Sequence, residues 1–159
     1  MPRWGHFDFD ELKRIAKNLE EMEKALPGFI EECVRELAMR LLAKVVLRTP
    51  VGQYGDHWVE FTTKEGKHVK FFAKDNRQGG TLRKGWTIGQ VKKTANGYEV
   101  EVINPVYYAS YVEYGHRTRD HKGWVEGRFM LTISEKELKR ELPVILKRKQ
   151  EAFLKKYLE

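Results

Sequence analysis

The chain has 159 residues, 41% hydrophobic and 33% charged, and its 30 basic and 23 acidic side chains give a formal charge of +7. That length suits one domain with a real core, and no apolar run approaches the roughly 20 residues that a membrane span needs. The N-terminal Met-Pro-Arg-Trp-Gly-His lacks the apolar stretch of a signal peptide, which predicts a protein that stays in the cytoplasm of the cell that makes it.

Asp8 and Glu11 have the spacing of a capping box, so a helix is predicted to start there. Leu12, Ile15, Leu19, Met22 and Leu26 recur at alternating spacings of three and four, a narrow seam suited to one partner helix or a neighbouring subunit. Pro27-Gly28 is expected to interrupt this helix. A second helix then follows, with Ile30, Val34, Leu37, Leu41 and Val45 on a stripe broadened by Cys33, Ala38, Leu42 and Val46. This wider stripe is predicted to face the core, with Cys33, the single cysteine, a buried structural thiol. Pro50 ends the helix near Arg48, because it disfavours helical geometry at Thr49.

Glycines bound the region from Val51 to Gly80, and two alternating segments rich in aromatic and β-branched residues lie between them. Trp58 to Thr63 and His68 to Ala73, joined by Glu65-Gly66-Lys67, read as a projecting hairpin. Leu82 to Lys92 and Tyr98 to Ile103 flank Asn96-Gly97, the pair that best accepts the positive φ of a tight turn. Tyr98, Val100 and Val102 alternate with Glu99 and Glu101, giving one buried and one wet face.

From Asn104 to Thr118 the chain packs Tyr107, Tyr108, Tyr111 and Tyr114 between Pro105 and Gly115. About two turns of helix are expected here, with Tyr107, Tyr111 and Tyr114 on one face as an aromatic plug for the core. A polar loop spans His116 to Gly123, and the final helix is predicted from a second capping-box pair, Ser134 and Glu137. Pro143 is expected to divide that helix into two segments meeting at a shallow bend.

The charge excess lies in the middle of the chain. Between Thr62 and Lys93, the basic residues Lys64, Lys67, Lys70, Lys74, Arg77, Arg83, Lys84, Lys92 and Lys93 face only Glu65 and Asp75. Such a patch fits nucleic acid or an acidic protein, and equally a solvated surface whose lysines protect strand edges. A nucleic-acid module would stack bases on Phe71, Phe72 and Trp86.

Catalytic signatures are thin. His116, Asp120, His121 and Glu126 combine metal-ligand types, but their spacing matches no established zinc or nuclease pattern. His57 and His68 could face each other across the first hairpin, a weak ligand pair. Gly79-Gly80-Thr81-Leu82-Arg83-Lys84-Gly85 has the wrong spacing for a phosphate-cradling loop and is expected to enter a strand. No serine or cysteine nucleophile has a nearby base, so no catalytic, cofactor or metal site is expected, and no small-molecule substrate. A metal-dependent nuclease using the His116 to Glu126 group is the enzymatic alternative.

Three segments together resemble the tail-component family of tailed bacteriophages and prophages. Arg48-Thr49-Pro50-Val51-Gly52 is similar to the family's Thr-Pro-Val turn, and Gly80-Thr81-Leu82-Arg83 to its Gly-x-Leu-Arg segment. Tyr108-Ala109-Ser110-Tyr111-Val112-Glu113-Tyr114-Gly115 resembles its Tyr-Ala-x-x-Val-Glu-x-Gly signature. Gly127-Arg128-Phe129-Met130-Leu131 occupies the place of the family's Pro-Phe-Met-Arg-Pro-Ala without its prolines, and residues 53–78 intervene as a hairpin insertion. The resemblance implies a structural protein of the virion neck or tail, made in the bacterial cytoplasm and active at head–tail joining or tail completion. It implies a homo-oligomeric ring, commonly sixfold, beside neck or tail-tube proteins and close to DNA, and no catalytic residues.

The fold class expected is α+β: helices at both ends packed on an antiparallel sheet, in a single domain over residues 1–159 with the hairpin projecting. Glu113 is expected either to bond an arginine of the following loop or to face solvent. Glu113, Tyr114, His116, Arg117 and Arg119 are the candidate interface, joined by Arg83, which could hold the sheet to an acidic neighbour. Lys64, Lys67, Lys70, Lys74, Arg77 and Lys84 are the candidate patch for DNA or an acidic partner.

Overall fold

The computed structural model describes residues 9–158 and has the α+β composition expected. Helix α1 runs Asp10–Arg48, followed by strands β1 His57–Thr62 and β2 His68–Ala73 and the short helix α2 Thr81–Lys84. Strands β3 Thr87–Ile88, β4 Lys92–Thr94, β5 Gly97–Glu99 and β6 Val102–Ile103 lead to α3 Ala109–Tyr114. Strands β7 Gly115–Arg117 and β8 Trp124–Glu126 then precede helix α4 Met130–Leu158. The strands form two-stranded pairs, β1 with β2, β3 with β6, β4 with β5 and β7 with β8.

The chain divides into two compact units, each built from separated segments. The first takes residues 1–41, 88–102 and 135–159. Here α1 and α4 lie antiparallel: Phe29 stacks on Phe153 at 4.2 Å, and Lys149 Nζ reaches Glu36 at 2.6 Å and Glu32 at 3.0 Å. Cys33 and Ala38 are buried on the wider stripe, which places them as the periodicity predicts. Tyr98, Val100 and Val102 are half-buried while Glu99 and Glu101 are exposed, the predicted alternation. The narrow seam differs. Leu12, Ile15 and Leu19 are exposed, whereas Met22, Leu26 and Phe29 line an apolar groove with Leu146 and Phe153.

Pro27 does not interrupt α1, which is one helix of 39 residues, about 58 Å long at 1.5 Å per residue. The proline deletes one internal hydrogen bond, but residues before and after it, Met22, Leu26, Phe29 and Cys33, line the same groove and hold one register. Pro143 is likewise internal to a continuous α4 of 29 residues. Asp8, half of the first capping box, lies outside the described residues. The Ser134–Glu137 pair is no cap: α4 already starts at Met130, and the fully buried Ser134 hydroxyl donates back to the Met130 carbonyl at 2.6 Å.

The second unit takes residues 42–87 and 103–134. Its hairpin β1–β2 has the register Trp58↔Phe72, Glu60↔Lys70 and Thr62↔His68, with Gly66 at φ 80 in the turn. His57 pairs with Ala73 and His68 with Thr62, so the two histidines sit at opposite ends of the ladder and do not face each other. The chain leaves for the hairpin at Gly52 and returns at Gly79, whose Cα is so close that an added Cβ would lie 1.9 Å from the Gly52 carbonyl oxygen.

The strand expected from Leu82 to Lys92 is present only in pieces, and its start is not extended. Thr81–Lys84 is a helical turn opened by Gly80 at φ 96, and only β3 and β4 are extended in the rest. The Asn96-Gly97 hairpin is present as β4–β5, with Thr94 opposite Gly97.

Candidate assembly surface

The signature segments meet inside the second unit, where each supplies a cap for a helix end. The last carbonyls of α1 have no partner within the helix. Thr49 closes that end: fully buried, it returns its hydroxyl to the Val45 carbonyl at 2.7 Å. Arg83 then donates Nε at 3.0 Å and Nη2 at 2.6 Å to the Thr49 carbonyl, and Trp86 Nε1 donates to Thr49 Oγ1 at 2.7 Å. A guanidinium here satisfies an orphan acceptor and opposes the negative pole of the helix. The proposed acidic neighbour of Arg83 is therefore, in this chain, a helix C-terminus. Asn104 ties the same region down by donating Nδ2 to the Leu82 carbonyl at 2.8 Å.

The opposite pole is met by Glu113. It is 5% exposed, and its partner is neither an arginine nor water but the first turn of α4. Leu131 N–H donates to Oε2 at 2.9 Å, while Thr132 donates N–H at 2.9 Å and Oγ1 at 2.8 Å to Oε1. A buried carboxylate on the free amides of a 29-residue helix joins hydrogen bonding to a favourable dipole. The main chain adds Arg128 N–H to Val112 O at 2.7 Å and Phe129 N–H to Glu113 O at 3.0 Å. Gly115, at φ 85, and Gly127 make this approach possible. A Cβ on Gly115 would fall 2.4 Å from Val125 O, and one on Gly127 2.3 Å from Glu113 O.

With Glu113 turned inward, the tyrosines turn outward. Tyr107, Tyr111 and Tyr114 are 87%, 55% and 62% exposed, so they do not plug the core. Tyr111 meets His116 edge-on at 5.9 Å between centroids, and His116, Arg117 and Arg119 are exposed. The loop after His116 is also more ordered than the sequence suggests. Strands β7 and β8 pair as His116↔Val125 and Arg117↔Trp124, leaving Trp124 and Val125 exposed beside the tyrosines' helix. Thr118, Asp120 and Gly123 close the connecting turn. The hydroxyl of Thr118 holds the Asp120 carboxyl below its ordinary range.

The His116, Asp120, His121 and Glu126 set does not converge: among the described residues no group of three or more metal-ligand side chains is placed to hold an ion. The basic residues between Thr62 and Lys93 are divided between the two units. Lys92 and Lys93 belong to the first unit, Arg83 is used internally, and Lys84 is exposed. In the hairpin, Lys70 lies 3.4 Å from Glu60 and Arg77 2.6 Å from Asp75, while Lys64, Lys67 and Lys74 are exposed. Arg77 also covers the Tyr54 ring at 4.7 Å and holds the Asp75 carboxyl down to about 2. No described helix is long and apolar enough to cross a membrane.

Thr132 completes the Glu113 cap and was not singled out in the sequence, because its partner lies 19 residues earlier. The resemblance pointed to the rest of these contacts, since Thr49, Arg83, Glu113 and Gly127 lie in its motif segments. Comparison with curated proteins and with solved structures gives no match. A family described as "Bacteriophage HK97-gp10, putative tail-component" matches residues 13–115, more than half of the chain and inclusive of most of α1, both capping arginine and glutamate, and Gly115. The chain therefore belongs to this phage tail-component family.

Proposed function

We propose that the protein is a structural subunit of a phage or prophage neck or tail, and that it works at head–tail joining or tail completion by assembling into a ring. Family membership supports the tail role. The observation that carries the assembly reading is the exposed Tyr107, Tyr111 and Tyr114 row next to His116, Arg117 and Arg119, on an element whose buried glutamate is wholly committed to scaffold. Tyrosine and arginine are the residue types that anchor protein interfaces. Here Tyr111 and Tyr114 stand on α3, which the Glu113 contacts hold to the start of α4, and Tyr107, His116, Arg117 and Arg119 flank it. Lys64, Lys67, Lys74 and Lys84 are free to face DNA in a lumen or an acidic neighbour.

The test is a surface variant. Tyr111→Ser combined with Arg117→Glu is expected to keep the circular dichroism and melting of the parent and to lose self-association or capture by neck and tail-tube proteins. Unchanged assembly by that variant would move the interface elsewhere on the molecule.

A further inference from the structure

The β1–β2 hairpin carries more apolar surface than a lone two-stranded ribbon supports in water. Its register places Val59, Phe61, Val69 and Phe71 on one face, with Trp58, Glu60, Lys70 and Phe72 on the other. Trp58, Phe61, Phe71 and Phe72 are all exposed, and among the described residues neither strand pairs with a third. Open edges beside exposed aromatics are templates for another strand.

The two edges differ in charge. Along β1 and its lead-in lie Asp56 and Glu60 with no lysine, while β2 and its immediate neighbours carry Lys67, Lys70 and Lys74. Glu60 already meets Lys70 at 3.4 Å and His68 at 3.0 Å within the hairpin, so the charges that face a neighbour are Asp56 on one edge and Lys67 and Lys74 on the other. Two β1 edges brought together would repel, as would two β2 edges. Only the unlike pairing is favoured, so the arrangement selects one contact and disfavours the symmetric ones.

The geometry points to a second copy of this chain as the occupant: β2 of one copy adds β1 of the next. This rests on the ring reading above and assigns the segment that propagates it. Because β1 and β2 run antiparallel and rotation about a ring axis preserves their sense, the new pair is also antiparallel. The result is an up-and-down sheet. Any register that keeps the pleat leaves Val59, Phe61, Val69 and Phe71 as one continuous apolar face. A contact between unlike surfaces generates a ring when the rotation closes, and a closed sheet has no edges left.

Cross-linking tests this directly in the full chain. In a Cys33→Ser background, Thr62→Cys and His68→Cys are made separately, so neither can link within one molecule. The two are mixed as dilute protein, concentrated together and treated with a short bis-maleimide. Linked dimer is expected at least several-fold above the yield of either variant alone, and Asp56→Lys with Glu60→Lys in the Thr62→Cys chain is expected to abolish it. Equal linking by one variant alone, or none in the mixture, overturns the proposal. Native mass on the same samples separates the causes. Oligomers without mixed links leave the ring standing and remove the hairpin from it; monomers throughout, also when neck and tail-tube proteins are added, remove both.

Discussion

The Glu113 carboxylate accepts both hydrogen bonds that Thr132 can offer, the amide at 2.9 Å and the hydroxyl at 2.8 Å on the same oxygen, and thereby fixes the start of α4 from a residue on α3. Removing it leaves a buried helix end without acceptors. Glu113→Ala is expected to cost about 2–3 kcal/mol, with Glu113→Gln intermediate because it keeps acceptor capacity and loses charge. Denaturant midpoints for the three proteins check the order Glu, Gln, Ala.

Arg83 is the counterpart at the other pole. Arg83→Ala is expected to cost about 1–2 kcal/mol through the lost charge-assisted bonds to the Thr49 carbonyl, and Arg83→Lys to recover only part, since an ammonium cannot reproduce the paired Nε and Nη2 contacts. A thermal or denaturant series on these variants reads it. If Arg83 acted only between subunits, the isolated subunit's stability would be indifferent to both changes.

Gly115 and Gly127 define a place where backbone meets backbone. Alanine at either has no space, its Cβ falling 2.4 Å or 2.3 Å from a carbonyl oxygen, and at Gly115 the φ of 85 adds strain. Gly115→Ala and Gly127→Ala are each expected to lose more than about 2 kcal/mol. Gly28→Ala, where a Cβ meets nothing within 4 Å, serves as the control and is expected to stabilise slightly.

The first unit has its own pH signature. The hydrogen bonds that Lys149 donates to Glu36 and Glu32 raise its pKa, and those from Lys149 and Arg40 lower that of Glu36. A raised lysine contributes stability that is complete below its unfolded pKa of roughly 10.4 and fades as pH climbs through the folded value. A lowered glutamate contributes above roughly 4.3 and fades as pH falls through its folded value. The difference in unfolding free energy between the parent and Lys149→Met is therefore expected to be flat across neutral pH and to shrink at both extremes. A difference independent of pH would assign Lys149 to packing alone.

Local chemistry made the two hairpins legible: Glu65-Gly66-Lys67 and Asn96-Gly97 carry their turns in adjacent residues. The wider stripe of α1 was legible for the same reason, since periodicity reports a buried face directly. What could not be read there depends on distant partners. The turn Thr81–Lys84 is helical where alternation suggested a strand, with Arg83 tied to a carbonyl 34 residues earlier. Ser134 and Glu137 imitate a cap, while the working cap comes from Glu113, 18 and 19 residues before its amide donors. The tyrosine row looked like core because spacing tells which residues share a face and not which face is covered. Pro27 looked like a break because the packing that carries α1 through it, Met22, Leu26, Phe29 and Cys33 along one groove, is not local.

Assembly is the central claim, and native mass measurement tests it most directly, with the protein alone over a range of concentrations and mixed with neck and tail-tube proteins. A closed oligomer of defined stoichiometry, formed alone or in the mixture and lost in Tyr111→Ser with Arg117→Glu, is the expected result. A protein that stays monomeric at every concentration and in every mixture contradicts the account.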